Sequence, residues 1–510
     1  MLVIFISRLI RIFDGFTSAA ELVLYLVKTF PNINLTWSNH LPDKKHGVNP
    51  ELVPAETNLL IVPDGGSNDY ETYKNLNDKG IDILILDHHE AENYSEHAIT
   101  VNPQLDEYPN KWLSGAGVVY KFIQQMDKTL GFNFAEDYAD LSAWGMVGDA
   151  MQLSSKETKW LITKGLNKIK NEFFNEMIKE NVDKDVELTP TILSFKVNPK
   201  VNAYLRMATT EELDDLFKAF IGHQEITFNS RLRKDDKSET WARRITRIAN
   251  NMYAKQRKIK EKLLGELSAK IDREKLYENS FMVVEIEGDF EMNMSGYIAS
   301  FLVSKYRKPT LVLRKDEKDD KFLVGSMRGY DTLMDDTKDF LQGLNLFEFV
   351  EGHQGASGIK IGYDNFSLLD DAINKALYEL DTNESHIVDL ILPANHLNKT
   401  FVGDMESYSK IWGKGLEQPK YAIEQLEVNL SDALVMGKDS DMIKMSVNGI
   451  ELVKFSGVSK LKDLKLDGKT VVMNVVGKTG MNSYRGNVTP QFVIEDMEII
   501  EVKDSARFVF

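Results

Sequence analysis

Through its first 150 or so residues the chain alternates short apolar runs with amphipathic stretches, a pattern that few folds can accept. LVIFI, NLLIVPD and IDILILDHH read as buried strands, while TSAAELVLYLVKTF and GVVYKFIQQM read as helices. Strand and helix in turn imply a parallel sheet with helices on both faces. Ligands of such sheets gather at the carboxyl ends of the strands. The acidic and imidazole residues fall there: Asp14 after the first run, Asp64 after LLIV, and Asp87, His88 and His89 after ILIL. Asp149 follows a further apolar, strand-like run in WGMVGDAM.

A chain of 510 residues, 43% of them hydrophobic, can bury several cores, and its length predicts about three or four domains. It has no cysteine, which excludes disulfides, zinc-thiolate sites and thiol nucleophiles. Any metal must therefore be held by His, Asp or Glu. The apolar stretch Met1 to Phe13 is interrupted by Arg8 and Arg11 and has no small-residue cleavage site, so it reads as a strand rather than a leader. No run approaches the roughly 18 apolar residues that span a bilayer; a soluble, cytoplasmic protein without a membrane partner is expected. The net charge of -16 excludes a surface that is basic everywhere, so a nucleic acid would have to meet local patches. Between Arg231 and Lys275, 15 Lys or Arg stand against 7 Asp or Glu.

The fold class predicted is α/β: a parallel-sheet catalytic domain (1–212) and a smaller α/β domain (276–385), joined by a helical connector (213–275) without strand signals. In the smaller domain FMVVEIEG, PTLVLR and FLVGSMRGYD are strands, SGYIASFLVSKYR and LLDDAINKALYEL are helices, and the Gly-rich segment EGHQGASGIKI precedes the last helix. From 394 to 510 strands recur at short spacing between Gly or Asn turns, as in EQLEVNL, IKMSVNGIELVKF, GKTVVMNVVGKT and PQFVIEDMEII. That pattern suggests an OB-like β-barrel, a common single-strand-binding module.

Two imidazoles beside a carboxylate at the end of a strand are costly to bury without a cation. Nitrogen and carboxylate donors together suit Mn²⁺, Fe²⁺, Co²⁺ or Zn²⁺, whereas Mg²⁺ prefers an all-oxygen shell. With Asp64 and Asp149 added, ligands come from three distant places in the chain. Carboxylates shared by two metals about 3.5–4 Å apart are the usual device for stabilising phosphoryl transfer.

These residues resemble the DHH phosphoesterase superfamily, and specifically its RecJ-type single-strand exonucleases, along nearly the whole chain. Asp14-Gly15 with Thr17-Ser18 is similar to the end of that family's first motif, Asp64 to the second, Asp87-His88-His89 to the third and Asp149 to the fourth. Asn202 and Arg206 in NPKVNAYLRM resemble a further RecJ segment. The smaller domain resembles the companion DHHA1 domain through Gly325-Ser326-Met327-Arg328 and through Gly352-His353-Gln354-Gly355-Ala356-Ser357-Gly358, where the family has GGHxxAxG and Glu351 replaces the first glycine. IWGKGLEQPKYAIE and YRGNVTPQFVIEDMEI resemble the RecJ tail.

The resemblance implies Asp14, Asp64, His88 and Asp149 as ligands of Mn²⁺ or Mg²⁺ in a two-metal site. His89 would sit near the scissile phosphate, and Asp87 would ligate or orient a histidine. Arg328 with Gly352, His353, Gly355, Ala356, Ser357 and Gly358 would grip substrate phosphates, since glycines admit backbone N–H groups and the cations supply donors. In the barrel, Lys414, Lys420, Tyr421, Tyr484, Arg485 and Phe492 are candidates for stacking or phosphate contact. The implied activity is 5′-to-3′ hydrolysis of single-stranded DNA in repair or recombination, with a single-strand-binding protein or a helicase as candidate partner.

One motif departs from the family. Where the pattern is D-x-D-x-D-G, this chain has Ile10-Arg11-Ile12-Phe13-Asp14-Gly15, and an isoleucine cannot ligate a cation, so one metal position is expected to be weak or lost. A degenerate binder and a disturbed reading frame ahead of Phe13 compete as origins, and the intact later motifs favour the second. Two other functions fit less well. A phosphodiesterase for oligoribonucleotides or cyclic dinucleotides would leave a barrel nothing to hold, and a catalytically impaired replication accessory would not need Asp64, residues 87–89 and Asp149.

Overall fold

A computed structural model of the protein describes residues 3–8, 13–39, 48–105, 107–228, 238–286, 294–330, 334, 336–378, 386–436, 442–455, 469–484 and 487–504. Ile10, Arg11 and Ile12, and the basic residues between 231 and 237, lie outside the described residues. The chain forms two compact units. One holds residues 1–256, 398–419 and 479–491, and the other 257–397, 420–478 and 492–510.

In the first unit, strands β1 (Val3–Arg8), β2 (Asn34–Asn39), β3 (Leu59–Pro63), β4 (Asp82–Leu86) and β5 (Ile99–Val101) form one sheet. Its order is 2-1-3-4-5 and every neighbouring pair is parallel. β3 and β4 are nearly unbroken apolar runs because a parallel sheet is covered on both faces. β2 was not foreseen: NLTWSN places Leu35 and Trp37 on one face only, as an edge strand allows. The order reverses between β1 and β3, which opens a crevice at their carboxyl ends.

Helices α1 (Phe13–Thr29), α2 (Tyr70–Asn77), α3 (Gly115–Leu130), α4 (Ala139–Gly148), α5 (Lys156–Leu166) and α6 (Glu172–Asn181) follow. The short α7 (Pro190–Ile192) runs into a π turn, Leu193–Val197, and then come α8 (Asn198–Met207) and α9 (Thr210–Phe220). Asn202 and Arg206 lie on α8. Two expectations about ligand positions are corrected. Asp14 lies in the first turn of α1 rather than on a strand end. Asp149 caps the C-terminus of α4, because WGMVG belongs to a helix buried from Ala139 to Val147. A short segment buried on all sides carries no periodicity by which helix and strand could be told apart. Trp144 anchors α4, stacked on Phe174 at 4.0 Å between ring centroids.

The 213–275 connector is not purely helical. β6 (Ile226–Phe228) and β7 (Ser238–Thr240) pair antiparallel before α10 (Trp241–Glu274), a helix of 34 residues. Exposed pairs such as Arg257–Glu261 and Lys262–Glu266 along α10 are those of a solvated helix face.

In the second unit, β8 (Met282–Glu285), β9 (Thr310–Lys315), β10 (Phe322–Arg328), β11 (Phe347–His353) and β12 (Ala356–Gly362) make a sheet of order 11-12-10-9-8 with α11 (Ser295–Tyr306), α12 (Thr337–Gly343) and α13 (Tyr363–Tyr378). Only β8 and β9 run parallel. The Gly-rich segment is thus mostly strand: β11 turns through Gln354 and Gly355 into β12.

The remaining elements are β13 (Leu390–Pro393), α14 (Lys399–Glu406), β14 (Tyr421–Asn429), β15 (Leu434–Met436), β16 (Met442–Val447), β17 (Ile450–Lys454), β18 (Lys469–Tyr484) and β19 (Asn487–Asp504). The seven strands form one sheet of order 13-14-18-19-17-16-15. Asn448 and Gly449, with φ of 48° and 76°, make the two-residue turn between β16 and β17, the geometry that Asn-Gly favours in hairpins.

Beside the first sheet, α5 packs closely on α4. A Cβ on Gly165 would lie 2.1 Å from the Ala139 carbonyl oxygen and 2.4 Å from Ala143 Cβ. Backbone cannot yield as a side chain can, so Gly165→Ala should cost about 1–3 kcal/mol. Urea unfolding checks this; an unchanged midpoint would show that α4 and α5 separate freely.

Candidate metal centre

At the reversal point of the first sheet, Asp64 leaves β3 with φ of 61°, its N–H bonded to the Leu86 carbonyl of β4 at 2.8 Å. The left-handed region is unusual for a residue with a side chain. Among the described residues up to 256, the other such case is Ala150, next to Asp149. Strained backbone of this kind persists where surrounding structure imposes it, often at functional sites.

The Asp64 carboxylate is fully buried and neither oxygen has a hydrogen-bond partner among the described residues. Space for it comes from Gly115 at the start of α3, where a Cβ would lie 2.5 Å from Asp64 Cβ and Oδ1. Asp14 is buried as well, and accepts from Ser114 Oγ at 2.8 Å and from the Ala116 N–H at 3.3 Å. Gly145 on α4 opposes it, with room for no Cβ beside Asp14 Oδ1. Small residues thus admit the carboxylates from two helices.

His88 lies between them. Its Nε2 is 3.2 Å from Asp64 Oδ1, 3.5 Å from Asp149 Oδ2 and 4.0 Å from Asp14 Oδ2. Two overlapping groups could hold a metal ion: Asp64, His88 and His89, and Asp14, His88 and Asp149. Burial, then the charge of Asp14, pushes the Asp64 carboxyl well above its ordinary range. The same causes push Asp149 up to about 6.

Asp87 has the opposite environment. Its Oδ2 accepts from the Ser67 N–H at 3.0 Å, and its Oδ1 from the His88 and His89 N–H groups and His89 Nδ1 at 2.7, 3.1 and 2.8 Å. Burial works to raise its pKa, but these donors, His89 first, hold it well below the ordinary range. Asp87 thus holds His89 by both its backbone N–H and its Nδ1. In return the hydrogen bond to Asp87 raises His89 above the usual imidazole value. His89, 40% exposed, faces a cleft of about 440 Å³ lined by 65–69, Asp87 and Glu90. Asn102 Nδ2 ties the wall together by donating to the His89 carbonyl and Ser67 Oγ, both at 2.9 Å. Sequence reasoning missed Ser67, Asn102, Ser114 and Gly115. A Ser-Gly-Ala-Gly run opening a helix was the one available signal.

In the second unit, strand register sets Arg328 opposite Ala356, and Ala356 opposite His353. Gly352 has φ of 135°, and a Cβ there would meet the Ala356 carbonyl oxygen at 2.5 Å. Ser357 is buried and donates to the His353 carbonyl, while Gly355 accepts from the Gly329 N–H and Gly358 pairs with Glu351. Arg328 is half-buried against Gly296, and burial lowers its pKa. Of the barrel candidates, Phe492 and Tyr421 are buried core residues rather than exposed stacking surfaces. Lys420 is paired with Glu495, and Lys414 is exposed. Arg485 and the Tyr484 side chain lie outside the described residues. No described helix is long and apolar enough to cross a membrane.

Residues 13–146 match the DHH family, N-terminal domain, and residues 388–496 match the RecJ OB domain. A Bacillus subtilis (strain 168) protein named "Putative SPbeta prophage-derived single-strand DNA-specific exonuclease YorK" is 34% identical over 503 residues, which cover 96% of this chain and 86% of that protein. The single-stranded-DNA-specific exonuclease RecJ of the same strain is 22% identical over 519 residues, covering 96% and 60%. The crystal structure of RecJ from Thermus thermophilus in complex with Mn²⁺ shares the fold, with a TM-score of 0.69 at 17% identity over 97% of this chain and 68% of that one. With a third of its residues shared along most of one such relative, and DHH and OB domains at its two ends, the chain belongs to the RecJ-type family of the DHH superfamily.

Proposed function

We propose that this protein is a divalent-metal-dependent exonuclease that hydrolyses single-stranded DNA from its 5′ end. The observation that carries the reading is Asp64: a buried carboxylate without a hydrogen bond, crowded by Asp14, His88 and Asp149. An ionised carboxylate so placed is costly unless a cation or donor meets it. The donor set fits a divalent ion, with Asp14, Asp64, His88 and Asp149 as its holders and Mn²⁺ or Mg²⁺ as the choices. Bound there, such an ion acidifies water and stabilises the charge that builds on a phosphoryl group.

The chain's own residues supply the rest. Asp87 fixes His89 through Nδ1, so Nε2 is the nitrogen able to meet a phosphate. Its raised pKa keeps the ring cationic nearer neutrality, as a donor to a phosphate oxygen or leaving group. Arg328, His353 and the 352–358 hairpin are assigned to the phosphates of the strand, and the C-terminal barrel to the strand beyond the cleaved bond. The 5′ polarity and a place in DNA repair or recombination rest on the family relationship. A dinucleotide-specific reading leaves the barrel without a role.

On 5′- and 3′-labelled single strands, hydrolysis is expected with Mn²⁺ and none with EDTA, the 5′ label being released first as mononucleotide. Metal-independent cleavage, or release of the 3′ label first, overturns this reading.

Asp64→Asn should lower kcat/KM about 100-fold or more, as loss of a preorganised electrostatic partner does. Because Asn replaces a buried carboxyl that has no hydrogen bond and is crowded by Asp14, the metal-free variant should melt no lower than the wild type at neutral pH. Added Mn²⁺ should raise the wild-type Tm and leave the variant's unchanged; an equal rise in both would acquit Asp64 as a ligand.

The raised carboxyls also set a pH dependence. Folded, Asp149 holds its proton up to about 6, whereas its ordinary value is 3.8. Asp64 is shifted in the same direction. The contribution of Asp149 to metal-free stability is therefore full below about 4 and lost as pH rises through about 6. Cation binding displaces the same protons, so Mn²⁺ affinity should climb over this interval. Calorimetric titrations at pH 5.5 and 7.5 check this, and equal affinities would contradict it.

A further inference from the structure

A second cleft, of about 610 Å³, is lined by Tyr108, Lys111, Trp112, Ser154, Lys156 and Glu157, among others. Both of its walls are joined through the chain to residues of the metal centre. Ser114, two residues after Trp112, donates to Asp14, and Ser154 lies five residues after Asp149.

The wall that bears Trp112 is held rigidly. The Trp112 N–H donates to Asn110 Oδ1 at 3.0 Å, and its carbonyl accepts from Thr158 Oγ1 at 2.6 Å. Asn110 Nδ2 donates to Glu157 Oε2 at 3.0 Å and Tyr108 OH to Glu157 Oε1 at 2.9 Å, while Lys121 pairs with the same carboxylate at 3.0 Å. These donors offset the Glu157 charge. Lys111 is engaged by the Pro103 carbonyl.

Two side chains are left over. The Trp112 indole is 42% exposed and has no aromatic, cationic or hydrogen-bonding partner among the described residues. Lys156, at the start of α5, is exposed and has no ion pair among them. A large rigid apolar face in water beside a cation and a nucleotide-sized cleft is the make-up of a sequence-tolerant single-strand site: aromatic faces accept any base, and cations follow phosphates.

We propose that this cleft holds one nucleotide of the single strand, its base stacked on Trp112 and its phosphate near Lys156, so that the strand is positioned at the metal centre. The inference rests on the nuclease reading for its substrate, although binding can be tested without hydrolysis.

The test uses the full chain as wild type, Trp112→Ala, Trp112→Phe and Lys156→Ala. Binding of a fluorescein-labelled oligothymidylate is read by anisotropy in EDTA, and kcat and KM are measured with Mn²⁺. Trp112→Ala should weaken binding and raise KM about tenfold, the scale of losing one stacked base. Its kcat should stay within about twofold of wild type, as expected when strand binding alone is lost, and Trp112→Phe should keep most of the affinity. Lys156→Ala should flatten the slope of log affinity against log salt by about 0.7, one phosphate contact on a single strand. An abasic site walked along the oligonucleotide should lower wild-type affinity at one position, and Trp112→Ala should erase that dependence. Unchanged affinity in Trp112→Ala, or a loss shared by Trp112→Phe together with a lowered Tm, overturns the stacking site. Trp112-dependent binding without any hydrolysis overturns the nuclease reading alone, whereas hydrolysis whose KM ignores Trp112 overturns the stacking site alone.

Discussion

Asp64 and Asp87 are the same residue type at the ends of adjacent strands, and the site depends on how differently they are held. Asp87 receives four hydrogen bonds and is kept ionised. Asp64 receives none, sits on left-handed backbone and is pushed towards its protonated form. Environments that drive two carboxyls apart assign them different chemistry. The satisfied one holds the His89 imidazole, and the unsatisfied one is the carboxylate on which the proposed cation site rests. Gly115 and Gly145 keep open the space that makes the second arrangement sterically possible.

Much of the catalytic sheet was legible because strands covered on both faces leave unbroken apolar runs, as β3 and β4 do. The three residues after β4 were legible because polar groups directly after such a run have few places to go except the crevice. The same logic misplaced Asp149. α4 is enclosed on every side, so its apolar run carries no helical period and read as a strand. β2 escaped because only one of its faces is apolar.

Ser114, Gly115 and Gly145 were illegible for another reason. Each is a small residue whose role depends on a partner distant in sequence: Ser114 meets Asp14, Gly115 faces Asp64, and Gly145 opposes Asp14. No local pattern records such a pairing. In the C-terminal sheet the strands were readable from their turns, Asn448-Gly449 above all. The fate of individual aromatics was not: Phe492 and Tyr421 point into the core, and alternation along a strand does not say which face is wet.

The way the chain is shared between the two compact units bears on how the protein is made. It passes from one unit to the other five times, and residues 398–419 and 479–491 belong to the unit that bears the carboxylates and histidines. A ribosome releases the chain from its N-terminus, so this unit gains its segment 479–491 only after more than 200 further residues, counted from 257, have followed its first 256.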